Sequence, residues 1–124
     1  FNIRFNNMHS SNSLSEMLNN HFKSTGFKYD FKSFSNAEPF ITNPGHLIVS
    51  LEKAIKKITN KTPVKSTNGG TSDARFIKNI CPVVEFGLVG KLMHKVDEKV
   101  PVEEILKLKM VYHEFLNIFF GDKR

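Results

Sequence analysis

The sequence predicts an α/β fold class, and over this length of chain an α+β piece, on three observations. Two short segments alternate apolar and polar residues with period two, three longer ones repeat apolar residues at helical spacing, and one run is β-branched and largely apolar. At 124 residues, 40% hydrophobic and 24% charged, the chain has the composition of a soluble globular protein, which excludes disordered and fibrous classes.

The first element is a predicted strand: Phe1, Ile3 and Phe5 alternate with Asn2, Arg4 and Asn6. A chain that opens inside a strand and lacks an initial Met is expected to be a piece of a longer protein. Ser13-Leu14-Ser15-Glu16 then has the form of a capping box, and Leu14, Met17, Leu18 and Phe22 make an apolar stripe that ends at Gly26. Alternation returns with Phe27, Tyr29 and Phe31 on one face and Lys28, Asp30 and Lys32 on the other. Strand, helix and strand form one unit. Pro39 and the turn signal Asn43-Pro44-Gly45 mark a connector, so the chain divides into residues 1–40 and 41–124.

A second helix is predicted with Leu47, Leu51, Ala54, Ile55 and Ile58 inward. A polar loop follows, then a short helical turn around Phe76 and Ile77. Pro82-Val83-Val84-Glu85-Phe86-Gly87 suits a strand buried on both faces, as in a parallel sheet flanked by helices. Pro101, Glu103 and Glu104 open a last helix, whose predicted inner stripe is Val102, Ile105, Leu106, Tyr112, Phe115, Leu116 and Phe119. Gly121 ends it, and the charged tail beyond reads as a C-terminus.

Eighteen basic against twelve acidic residues give a net charge of +6, which raises the question of nucleic acid. The basic residues are scattered, Lys56-Lys57 fits a solvated helix face, and the Phe residues follow core periodicity, so no nucleic-acid partner is expected. An excess of positive charge also suits an anionic substrate. Cys81 is the sole cysteine, which excludes an intrachain disulfide and fits a reducing compartment. No apolar stretch has membrane length and no signal-peptide pattern is present, so no membrane partner and a cytoplasmic location are expected.

Two segments bear chemistry. Gly69-Gly70-Thr71-Ser72-Asp73 at the entrance to a helix either offers backbone N–H groups and hydroxyls to an anion, or is an ordinary glycine turn capped by Ser72 or Asp73. His94 follows the carboxyl end of the predicted buried strand, the edge at which open α/β sheets bind ligands. Its imidazole suits a metal ligand or a general base, although a lone histidine is more often an ordinary surface-loop residue. His9, His21, His46 and His113 make no zinc-like spacing with it.

The strings Ser66-Thr67-Asn68-Gly69-Gly70-Thr71-Ser72-Asp73-Ala74-Arg75-Phe76-Ile77, Pro82-Val83-Val84-Glu85-Phe86-Gly87 and Met93-His94-Lys95-Val96-Asp97-Glu98-Lys99-Val100-Pro101-Val102, with Glu38-Pro39-Phe40-Ile41-Thr42 and the opening Phe1-Asn2-Ile3-Arg4-Phe5 upstream, closely resemble the bacterial succinyl-diaminopimelate desuccinylase family of zinc metallopeptidase-like enzymes. The resemblance covers essentially the whole chain as the C-terminal third of such an enzyme. It implies a cytoplasmic homodimer with two zinc ions, also described with cobalt, that hydrolyses N-succinyl-LL-2,6-diaminopimelate in lysine and diaminopimelate biosynthesis. Residues 1–40 would finish an inserted two-layer dimerisation domain and residues 41–124 would return to a zinc-peptidase-like catalytic domain. By position, His94 matches the last zinc ligand, Arg4 an arginine that binds a substrate carboxylate, and Gly70 and Thr71 a substrate-contacting loop.

Two positions depart from the family pattern. Gly90 stands where many members carry a substrate-contacting Asn, and Leu92 where Thr is common. The other metal ligands and the catalytic base lie upstream in the family, so this length of chain is expected to be inactive by itself. The alternatives are a non-catalytic remnant or association module of a split gene, and a related N-acyl-amino-acid deacylase.

Overall fold

The computed structural model describes residues 1–67 and 72–121, and the elements it shows are four helices: α1 (Ser11–Ser24), α2 (His46–Thr59), α3 (Ala74–Ile77) and α4 (Val102–Gly121). No strand occurs among the described residues. The predicted strands at 1–6, 27–32 and 82–87 are irregular, which departs from the α/β expectation. Period-two patterning only says which side chains would share a face; a strand needs a neighbour to close its ladder of hydrogen bonds. None of these segments meets such a neighbour among the described residues.

All four helices follow the predicted segments, with corrections at their edges. The capping box of α1 lies three residues before the expected one. Ser10 Oγ accepts from Ser13 N at 3.1 Å and Ser13 Oγ accepts from Ser10 N at 2.9 Å, while Glu16 takes no part. Gly26, at φ +72°, follows the end of α1 in the left-handed region that glycine enters freely. Asn60, at φ 55°, caps α2 in the same way by donating its N–H to the Lys56 carbonyl.

The packing is concentrated in one contact. Among the described residues α2 and α4 are the only helices that pack together. Leu51, Ala54, Ile55 and Val111 form the buried cluster, with Ala54 0% and Val111 1% exposed, and Ile58, Phe86, Phe115 and Ile118 close its rim. On α2 the predicted face is the one that faces in. On α4 it is not. Of the predicted stripe only Phe115 and Phe119 are half-buried, and the inner face runs through Leu108, Val111, Phe115 and Ile118. Apolar residues occur on nearly every side of α4, so periodicity cannot tell which side meets α2.

Polar contacts then frame this pair. Lys57, expected on a solvated face, reaches Glu114 of α4 with N···O 2.7 Å. The His46 ring packs on Phe119 at 4.8 Å between centroids. Tyr112 donates its hydroxyl to the Phe86 carbonyl and meets the Phe86 ring edge-on, which draws 82–86 toward the α2–α4 pair. Val83 and Phe86 are consequently half-buried, whereas Val84 and Glu85 are exposed, so 82–87 is not buried on both faces.

Residues 27–33 lie back on α1. Phe22 of α1 meets Tyr29 and Phe31 at 5.6 and 5.4 Å, and Tyr29 Oη donates to Asn19 Oδ1 at 2.9 Å. The far end of α1 is held by Glu38, whose carboxylate accepts from the Ser11 N–H at 3.0 Å and from the Ser11 hydroxyl. A carboxylate there satisfies a helix N–H that no intrahelical carbonyl can reach and opposes the positive end of the helix dipole. Lys78 donates to the carbonyls of Glu38 and Pro39, each at 3.2 Å, and lies over the Phe40 ring.

Leu51→Ala should lower the unfolding free energy by about 2–3 kcal/mol in urea denaturation, because it empties part of the buried cluster. The Ser11 hydrogen bonds, with help from the Lys78 charge, hold the Glu38 carboxyl below its ordinary value of 4.5. A depressed carboxyl contributes stability that is complete above its unfolded value and lost as pH falls through the folded one. The protection factor of the Ser11 amide, taken relative to its intrinsic exchange rate, should therefore fall below about pH 4.5, and Glu38→Gln should abolish that dependence.

Candidate functional site

Arg4 and His94, the predicted site residues among those described, sit on segments without regular structure. Residues 88–97 close in successive turns: Lys91 N donates to Val89 O, Met93 N to Gly90 O and Lys95 N to Leu92 O, at 3.0, 3.1 and 3.1 Å. His94 and Asp97 both lie in the left-handed backbone region, at φ 62° and 59°. Non-glycine residues seldom adopt it, although His, Asn and Asp do so more readily than others. This turn holds the His94 side chain in solvent, without a hydrogen bond or ion pair among the described residues.

Gly90 acquires a local reason here. A Cβ at this position would fall 2.3 Å from Met93 Cε and 3.2 Å from Met93 Cβ. The Met93 side chain thus lies where an Asn at 90 would begin. Any side chain at 90 would require the thioether to swing away.

Arg4 is exposed on the opening segment and makes no hydrogen bond or ion pair among the described residues. Its guanidinium therefore remains available for a carboxylate, which it would grip with two parallel N–H donors. No hydrogen bond or ion pair joins Arg4 to the turn that carries His94. Gly70 and Thr71 lie outside the described residues, but the start of α3 beside them is defined. Ser72 Oγ accepts from Ala74 N at 3.2 Å, while Asp73 makes no side-chain cap, so Ser72 serves as the local capping group.

Arg75, in the same string, was not singled out from the sequence. Its Nε is buried without a partner and its guanidinium lies 4.7 Å from the centre of the Phe76 ring. The available signal was a cation two residues after the loop's Asp73. A buried, unpaired Nε–H is a donor that only burial can reveal.

Among the described residues no three His, Cys, Asp or Glu side chains cluster as a metal site would require. His94 supplies one exposed imidazole. Cys81 is exposed and free. Among the described residues no helix is long and apolar enough to cross a membrane. An apolar groove of about 290 Å³ opens beside the core, lined among others by Leu51, Ile77, Val83, Phe86 and Tyr112. It lacks the convergent polar groups that a hydrophilic amino-acid substrate needs.

Comparison with known proteins matches residues 4–118 to peptidase family M20/M25/M40. The chain is 46% identical over 120 residues to the succinyl-diaminopimelate desuccinylase of Ehrlichia ruminantium (strain Welgevonden), covering 97% of this chain and 31% of that protein. Identity is 48% over 126 residues to the enzyme of that name from Pelagibacter ubique (strain HTCC1062), and 49% over 124 residues to succinyl-diaminopimelate desuccinylase 1 of Ruegeria sp. (strain TM1040). Each match covers 97% of this chain and 32% of the relative. The chain thus spans about a third of the length of the curated relatives it matches, and the resemblance drawn from its motifs extends over nearly all of it.

Because His94 is exposed and in a left-handed turn, substitution by Asn, which tolerates that backbone, should leave thermal stability within about 0.5 kcal/mol of the parent chain. A steep loss on thermal melting monitored by circular dichroism would make the imidazole a structural group instead.

Proposed function

The chain belongs to peptidase family M20/M25/M40, and from that membership we propose that it is the C-terminal third of a zinc-dependent amidohydrolase that hydrolyses N-succinyl-LL-2,6-diaminopimelate to succinate and LL-2,6-diaminopimelate. The observation that carries this reading is the 46–49% identity over 97% of the chain to proteins named for that activity. In this reading the whole protein is a cytoplasmic homodimer of the lysine and diaminopimelate pathway. Residues 1–40 complete a dimerisation domain and 41–124 part of the catalytic domain. The segments 1–6, 27–32 and 82–87 take up their strand pattern when neighbouring strands of the longer chain pair with them, which would restore the α/β class.

The roles of individual residues follow the same reading. His94 contributes one nitrogen to a zinc site whose other ligands come from elsewhere in the longer protein. Arg4 binds a carboxylate of the substrate through its planar fork, and the Gly70-Thr71 loop supplies backbone and hydroxyl donors to another polar end. With glycine at 90, no side chain from that position shares the work. A single imidazole cannot assemble the metal centre, so the isolated 124-residue chain should show no desuccinylase activity.

The decisive experiment exchanges this chain for the matching third of the Ehrlichia ruminantium relative and assays succinate release. The hybrid should hydrolyse the succinylated substrate. In it His94→Asn should reduce both bound zinc and kcat, the latter by about a hundredfold or more, since losing a metal ligand exceeds the effect of disturbing an outer neighbour. Arg4→Lys keeps the charge but loses the fork, and should raise KM about tenfold with little change in melting temperature. A folded, zinc-loaded hybrid without activity would overturn the reading, as would full activity in both variants.

A further inference from the structure

Between residues 88 and 97 the chain is held by few contacts. Leu92 is the only residue there that is not exposed, and no side-chain hydrogen bond or ion pair reaches the segment among the described residues. Three backbone hydrogen bonds close its turns. Such bonds in solvent are readily exchanged for bonds to water, so they do little by themselves to hold a residue in a conformation that it disfavours. His94 nevertheless adopts one, at φ 62°.

The contact that sets this turn apart joins Met93 to Gly90. The Met93 side chain folds back so far that a Cβ at 90 would lie 2.3 Å from its Cε, 3.2 Å from its Cβ and 3.7 Å from its Sδ. Gly26 occupies the left-handed region and Gly90 does not. Glycine at 90 thus answers to space rather than to torsion. Met93, 51% exposed, covers the Gly90 backbone without entering a core. Its main chain is fixed at the same place, because Met93 N donates to Gly90 O at 3.1 Å. Met93 is held at both its backbone and its side chain, and the peptide that joins it to His94 is presented in one orientation.

We infer that Met93 is a positioning residue for His94: the matched pair of a glycine at 90 and an unbranched side chain at 93 selects the left-handed conformation in which the imidazole is presented. For its consequence in the whole protein the inference rests on the proposed role of His94; the conformational effect stands apart from that role. Gly90 and Met93 act as one unit, so disturbing either has the effect of disturbing both.

The test is a double-mutant cycle on the 124-residue chain, read by the intraresidue amide-to-Hα cross-peak of His94, which a positive φ makes strong. Met93→Ala removes the thioether and Gly90→Ala displaces it, and each should weaken the cross-peak by about half or more as the left-handed population falls. The double variant should match Met93→Ala alone, since no thioether is left for the new Cβ to displace. Met93→Gln keeps the length and the lack of branching and should retain the parent's signal. Residues 90 and 93 lie outside the buried cluster of α2 and α4, so circular dichroism and melting should stay as in the parent. In the hybrid with the Ehrlichia ruminantium relative, Met93→Ala should weaken the binding of zinc alone, measured by equilibrium dialysis, by about tenfold, as loss of a ligand's support does. Met93→Gln should bind zinc as the parent hybrid does. A His94 cross-peak unchanged in both single variants, or losses that add in the double variant, would overturn the inference, as would unchanged zinc affinity beside a weakened cross-peak. A parent hybrid that binds no zinc would remove the proposed metal role of His94 instead, and the cross-peak would then decide the conformational effect by itself.

Discussion

The contact between α2 and α4 is the constraint on which the rest of the described structure depends. Ala54 and Val111 are the most deeply buried of its apolar residues, and a side chain as small as alanine on one helix lets the other approach closely. Everything fixed near it is fixed through α4 or α2. Tyr112 holds the Phe86 carbonyl, Phe119 receives His46, and Glu114 anchors Lys57. These polar links add modestly to stability, since a partly exposed ion pair is worth about 0.2–1 kcal/mol. Their effect is to set the angle and register at which the apolar faces meet.

The second fixed point is the segment around Glu38. Helix α1 has no buried residue and packs on no other helix among those described. Its orientation comes from Phe22 against Tyr29 and Phe31, and from a carboxylate twenty-seven residues away that caps its first turn. Lys78, just after α3, grips the same segment from the other side. Thr42 continues the seam by donating its hydroxyl to the Val83 carbonyl. Residues 38–42 thereby tie α1, the end of α3 and the 82–86 run through hydrogen bonds and the Lys78–Phe40 contact, an arrangement sensitive to protonation in a way the α2–α4 core is not.

Arg4 and His94 make no side-chain hydrogen bond or ion pair with either fixed point among the described residues. Arg4 is on an irregular opening segment and His94 in a left-handed turn, and neither is gripped by a hydrogen bond. Side chains held so loosely are not pre-organised for catalysis, which requires support from packed neighbours. The same chain leaves a large apolar area open on α4. Exposed apolar surface and unsupported polar residues are two consequences of one condition, a core too small to enclose what the sequence provides.

Read alone, the sequence determined the helices, because period, capping residues and breakers act within a few positions: the stripe of α2 and the stop after Phe22 at Gly26 are local facts. It also determined the family, since the ordered strings around Gly70, Pro82 and His94 survive without any coordinates. It did not determine which serine caps α1, because Ser10 and Ser13 both offer a hydroxyl and the box forms at Ser10, beside the distant Glu38. Nor did it determine which side of α4 faces α2, since apolar residues surround that helix. The strand patterns at 1–6, 27–32 and 82–87 were legible, but a strand exists only with a partner. Partners, burial and the choice among equivalent faces are properties of chain segments brought together from afar, and for that reason only tertiary structure decides them.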